Sequence, residues 1–231
     1  MLLEVCVDDA PGLAEAVAGG ADRVELCAAL GVGGLTPSPG LMEVAAGCGV
    51  PCYPMIRPRP GDFCFDAAEV AVMRADIRAA RAAGLGGVVL GAERGGRLDL
   101  GVLADLVAEA EGMDLTLHRV IDLMADVEAA VEMAVALGFR RMLSSGGARV
   151  AHEGVARLGV MMRAARGRLS VMPGSGVTVQ TWPLLAGLGV REVHASCAVG
   201  LGAKADAFGF VTGAERRCDR GRVAGLKAVL G

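Results

Sequence analysis

Two short segments carry the same spacing of a carboxylate and a thiol: Glu4-Val-Cys6 and Glu25-Leu-Cys27. Alternate residues of a strand share a face, so each segment would aim a carboxylate and a sulfur in one direction. If the two strands sit in a similar register, all four groups converge on one patch. Soft thiolates at low coordination number select Cu(I). Zinc would require two further ligands, and no Cys-x-x-Cys or closely spaced His pair supplies them. The plain alternative is that both cysteines are small buried hydrophobes.

A second set suits an anion. Arg57 and Arg59 lie in Ile-Arg-Pro-Arg-Pro-Gly-Asp62, and a guanidinium fork matches carboxylate or phosphate. His118 and Arg119 are followed by Asp122, and His194 lies further along. Glu25 or His118 could move a proton as general acid or base, with Arg57 and Asp122 completing a candidate catalytic set. Glycine loops at Ser144-Ser-Gly146-Gly147 and Pro173-Gly174-Ser-Gly176 could cradle an anion on backbone amides. Glu4, Arg59, Arg119, Gly146, Gly174 and Gly176 are the accompanying ligand-binding candidates. Any one of these polar residues would equally fit a satisfied ion-pair network in a core.

The elements that must position these groups alternate. Strand-like runs fall at Leu2–Val7, Arg23–Cys27, Cys52–Arg57, Gly87–Leu90, Leu115–His118, Arg141–Ser144, Leu169–Met172 and Glu192–Ala195. Helical patterns separate them at Pro11–Ala18, Leu41–Ala46, Ala67–Ala83, Leu100–Glu111, Ala125–Leu137, Ala151–Ala165 and Val179–Leu188. Such alternation argues for a parallel sheet. At Ala18-Gly-Gly, Ala83-Gly, Leu137-Gly and Leu188-Gly a helix pattern meets glycine and a strand follows. Glycine there supplies the left-handed backbone that ends a helix, so the junction is an internal βαβ repeat. Eight evenly spaced units predict a single-domain α/β (β/α)8 barrel, a TIM barrel, over residues 1–231. An open doubly wound sheet is the second choice. In a barrel the site lies at the C-terminal ends of the strands, where the candidates above fall. The stretch after about Gly200 carries no clear pattern.

Composition narrows the partners. The 231 residues are 53% hydrophobic but only 3% aromatic, with a net charge of −3 and no basic run. Nucleic acid is a poor fit without basic patches or stacking rings. Charges break every apolar run well short of the roughly 18 residues of a membrane span. The opening Met-Leu-Leu-Glu-Val has no basic region of a secretion signal. Seven cysteines without such a signal read as free thiols in a reducing, cytoplasmic setting. No Walker loop, Gly-x-Gly-x-x-Gly or His-Glu-x-x-His motif occurs.

Several motifs together resemble the CutC family. They are Glu4-Val-Cys-Val-Asp8, Gly19-Gly-Ala-Asp-Arg-Val-Glu-Leu-Cys27, Gly33-Gly-Leu-Thr-Pro-Ser38, Met55-Ile-Arg-Pro-Arg59 with Gly61-Asp-Phe63, and Met73-x-x-Asp76-Ile77. Gly87-Val-Val-Leu-Gly91, His118-Arg119 with Asp122, and Met172-Pro-Gly-Ser-Gly176 continue the series. Where the family usually reads His-Arg-Ala-Phe-Asp, this chain has His118-Arg-Val-Ile-Asp122. The resemblance implies a (β/α)8 barrel, a cytoplasmic home, a homodimer or higher homo-oligomer, and a role in copper homeostasis. It implies Cu(I) ligands at Cys6 and Cys27, and strand-end polar residues at Glu4, Glu25, Arg57, His118, Arg119 and Asp122. The alternative is a barrel enzyme acting on a small anionic metabolite.

Overall fold

The computed structural model describes residues 1–202 and 215–231. Eight parallel strands form a barrel: Leu2–Val7, Arg23–Leu26, Cys52–Pro54, Gly87–Leu90, Asp114–Leu117, Arg141–Ser144, Ser170–Pro173 and Glu192–Ala195. The first strand pairs with both the second and the eighth, which brings the chain's two ends together. The third and fourth join through a bridge between Met55 and Val89. At the remaining seam, Gly174 at the end of the seventh strand lies against the His194 side chain of the eighth. Closure, rather than the open sheet, is the outcome.

Helices cover the outside of the barrel. Aspartates open many of them: Asp9, Asp66, Asp99, Asp126 and Asp219 each accept a hydrogen bond from a first-turn amide, satisfying a donor the helix itself cannot. The repeated glycine junctions behave as their sequence implied. Gly20, Gly84, Gly138 and Gly189 all have φ between +69° and +91°. Leu, Val and Ala side chains facing inward from the helices meet the outer faces of the strands and form the main core.

Three segments differ from expectation. The helix expected over Val179–Leu188 is only Trp182–Leu185, followed by a single 3-10 turn. Pro183 lacks an N–H and fits only in a first turn, so a helix starting at Val179 could not run through it. A short hairpin appears at Glu93–Arg94/Arg97–Leu98, and Ala198–Gly200 pairs antiparallel with Arg216–Cys218. The unpatterned C-terminal stretch ends in a helix, Arg220–Leu230, which packs on the first strand and first helix.

The barrel interior is unusual. Branched aliphatic side chains commonly fill such barrels; here the lower half is charged. Tyr53 lies between the guanidinium groups of Arg23 and Arg141, 5.6 and 5.3 Å from its ring centre. Arg23 pairs with Glu4 and, at 2.5 Å, with Glu192. Arg141 holds Asp114 at 2.9 Å and Thr116 at 3.0 Å, and Tyr53 donates to Asp114 at 2.8 Å. Burial opposes the charge on Arg23, but the flanking Glu4 and Glu192 carboxylates overcome it and raise its pKa.

Candidate functional site

A cavity of about 1490 Å³ opens above this charged layer, at the C-terminal ends of the strands. Cys6, Glu25, Arg57, His118 and His194 all line it, together with Phe63. Among the described residues, three of the four non-glycine residues with left-handed backbone, Ala29, Ser175 and Cys197, also lie on its wall. Such strain concentrates where a surrounding structure holds a site in shape.

The strand register decides what meets what. Glu4 aligns with Arg23, and Cys6 aligns with Glu25. The two Glu-x-Cys patterns are therefore offset by two residues, which corrects the similar register expected from their spacing. Cys6 finds Glu25 and His194 instead: a ligand atom from each lies within 4.8 Å of the others, and all three residues are buried. Cys27 sits one step further up its strand, with its Sγ 3.6 Å from Glu25 Oε2. It packs with Tyr53, Met55 and Val89.

A hydrogen-bonded column links this cluster to the floor. His194 Nδ1 lies 2.8 Å from Glu4 Oε1, and Nε2 lies 3.8 Å from Glu25 Oε2. Burial alone would neutralise Glu4, yet the His194 hydrogen bond and the Arg23 charge hold its pKa down to about 2. Burial works against a charged His194 too, but Cys6, Glu25 and Glu4 together keep it protonated well above its usual range. Glu25 goes the other way: burial, against the pull of His194 and with the push of Glu4, raises its pKa. Burial and the Glu25 carboxylate push the Cys27 thiol well up.

His118 is neutral. Burial and the nearby Arg57 charge bring its pKa down to about 3. The Val120 amide donates to its Nδ1 at 3.1 Å, so the ring proton resides on Nε2. Gly91 makes room for this ring, because a Cβ there would stand 2.7 Å from Nδ1. Arg57 is braced by the carbonyls of Val32, Gly34 and Gly61 at 3.1, 3.2 and 2.7 Å.

Other expected site residues have structural duties. Arg59 is not beside Arg57 in a clamp. It pairs with Glu69 and Asp62 and does not line the cavity. Glu69 is the second half of the capping box that opens helix Ala67–Ala82, so it is held where Arg59 meets it. Asp122 is likewise not free for chemistry. It accepts from Ser144 Oγ at 2.5 Å, from the amides of Ser145 and Gly147, from Ser145 Oγ and from Arg119 Nε. The amide cradle around Gly146 is thus filled by the protein's own carboxylate, which corrects the expected anion site there. Arg119 reaches the cavity wall but spends its guanidinium on Asp122 and Ser145. Of the second loop, Gly176 lines the cavity, whereas the Gly174 amide is taken by the Ser144 carbonyl at 2.9 Å. Asp122→Ala should cost roughly 3 kcal/mol, since several donors lose a charged acceptor together. Urea unfolding checks this; an unchanged midpoint would restore Asp122 to the catalytic candidates.

Sequence reading placed His194 near the site but did not rank it, and it missed Phe63 as a site residue. Phe63 stacks on Arg57 at 4.9 Å and on His118 at 4.5 Å. Its only signal was its place in Gly61-Asp-Phe63. No helix among the described residues is long and apolar enough to cross a membrane.

Comparison with known proteins places this geometry. A model of the CutC family matches residues 1–199. The CutC family protein of Sinorhizobium medicae is 55% identical over 235 residues, covering 100% of this chain and 96% of that one. That of Caulobacter vibrioides strain NA1000 is 54% identical over 198 residues, covering 85% and 81%. Among solved structures, the CutC protein of Streptococcus agalactiae, named for copper homeostasis, superposes with a TM-score of 0.81 at 29% identity, over 85% of this chain and 98% of that one. Thiamine phosphate pyrophosphorylase of Pyrococcus furiosus shares the barrel fold alone, with a TM-score of 0.64 at 12% identity over 99% and 95%. With its barrel and its motifs both matched, the chain belongs to the CutC family.

Proposed function

We propose that this protein serves copper homeostasis by binding Cu(I) as cargo at the mouth of the barrel. The carrying observation is the buried Cys6–Glu25–His194 cluster, whose ligand atoms lie within 4.8 Å of one another. A thiolate and an imidazole are donors that copper accepts, and thiolate softness favours Cu(I). Cys6 and His194 are the first ligands in this reading. Cys27, with its thiol against Glu25, is the second sulfur at hand. The Glu25 carboxylate is a hard donor that suits Cu(I) poorly. Binding must release two protons, one from the Cys6 thiol and one from His194 Nε2; Glu25 takes up one and the other leaves to solvent. The barrel's free cysteines accord with a cytoplasmic setting. The self-association implied by family resemblance belongs to the same proposal.

Anaerobic Cu(I) titration with a competing chelator tests it. Cys6→Ser should lower affinity by more than about 100-fold, beyond what loss of a supporting residue costs. His194→Gln should also weaken binding, and Cys27→Ser should do so less. Equal affinity in the wild type and the Cys6→Ser/Cys27→Ser double variant would overturn the proposal. So would a clear preference for zinc.

A further inference from the structure

One feature of the cavity is independent of the sulfur cluster. Arg57 is 5% exposed and His118 3% exposed, and both line the cavity. Among the described residues, Arg57 Nε and His118 Nε2 are buried donors without a hydrogen-bond partner. Among the described residues no carboxylate lies within ion-pairing distance of Arg57, although Arg23, Arg141 and Arg59 all have one. A buried cation without a counter-charge and a buried N–H without an acceptor each cost stability. Two such donors on one cavity wall ask for the same thing, an acceptor that carries negative charge. Glu25 Oε1 on the same cavity also has no partner among the described residues. It can accept from a hydroxyl or amino group of a molecule held in that cavity.

We propose that the barrel mouth binds a small metabolite bearing a carboxylate or phosphate, whose oxygens accept from Arg57 Nε and His118 Nε2. A neutral imidazole N–H and a guanidinium together neutralise one charge and orient two oxygens. The carbonyl brace on Arg57 and the Val120 bond to His118 Nδ1 preorganise both donors before the ligand arrives. Phe63 packs against both groups and ties them to one side of the cavity. The ligand is an organic oxyanion, and it does not depend on copper. The glycine loop after the sixth strand takes no part, because Asp122 already fills it.

The test uses metal-free, full-length protein and isothermal titration with three probes: inorganic phosphate, glycolate and 2-phosphoglycolate. Saturable millimolar-or-tighter binding is expected for at least one, with a matching rise in melting temperature. Binding of phosphate probes alone identifies a phosphate ester, and binding of glycolate alone identifies a carboxylate. His118→Asn keeps a side-chain acceptor for the Val120 amide but removes Nε2. It should weaken the anion by about tenfold or more, while Cu(I) affinity stays as in the wild type. Arg57→Lys should weaken it as well; if that variant fails to fold, His118→Asn decides. No saturable binding of any probe, or equal binding by His118→Asn, overturns the proposal. Failure of the Cu(I) titration alone leaves it standing, because Cys6 and His194 carry that reading and Arg57 and His118 carry this one.

Discussion

Arg23→Met should destabilise the barrel by about 3–5 kcal/mol, the cost of leaving buried charge without its partner. Arg23 is 3% exposed and is the shared cation of Glu4 and Glu192, which are 0% and 7% exposed. Methionine fills a similar volume, so the loss reports charge rather than a void. The effect should travel upward. Glu4 would lose the cation that helps hold its pKa low, and would then bind His194 less firmly. Adding Glu4→Gln and Glu192→Gln to Arg23→Met should recover part of the loss, since the two stranded carboxylates are gone, while His194 and Arg141 each lose one partner in turn. Urea unfolding of the single and triple variants measures both steps. A loss in Arg23→Met below about 1 kcal/mol, the usual worth of an exposed pair, would mean that the column is solvated.

Stability should also fall as the solution is acidified from pH 6.5 to pH 3, and His118 should be a main cause. Its folded pKa is about 3, against 6.5 for the free side chain, because burial and Arg57 oppose its charge. In that window the unfolded chain binds a proton that the folded chain refuses. Stability therefore rises with pH, by up to about 1.4 kcal/mol per unit from this one group. Glu4 adds a second acid-side loss between 4.5 and about 2, because its folded pKa is depressed. Glu25, raised above 4.5, acts in the opposite sense as pH climbs past that value. His194, raised above 6.5, contributes stability below 6.5 that is lost as pH rises through its folded pKa. Comparing wild type with His118→Asn isolates the first effect. Their stability difference should shift by several kcal/mol between pH 4 and pH 7. A difference that stays constant with pH would show that His118 is not held neutral.

These two expectations rest on parts of the molecule that differ in how far sequence reveals them. Four of the strand ranges, Leu2–Val7, Gly87–Leu90, Arg141–Ser144 and Glu192–Ala195, match the sequence reading residue for residue. Local patterns suffice there: β-branched runs, and a glycine that ends the preceding helix at four junctions. Arg23 and Arg141 are different. They head strands in sequence, where an arginine reads as solvated, and only barrel closure turns both onto Tyr53. Arg59 and Asp122 looked like site residues because they stand beside Arg57 and His118 in the chain. Their side chains are claimed by Glu69 and by the Ser144–Gly147 loop, partners that are 10 and 22 or more residues away.

The barrel itself was therefore determined by sequence: its strand and helix periods, its glycine junctions, and the end at which polar residues gather. The family motifs pointed to Cys6 and Cys27 as one pair. Tertiary structure decided the pairing. In a closed barrel each strand is staggered against the next by the shear that closure demands. That stagger sets Cys6 beside Glu25, Glu4 beside Arg23, and His194 against both carboxylates. Spacing within a strand tells which side chains share a face, but the offset between strands is set by the whole ring. For that reason the two matching Glu-x-Cys segments yield a Cys–Glu–His cluster with the second thiol one step above it.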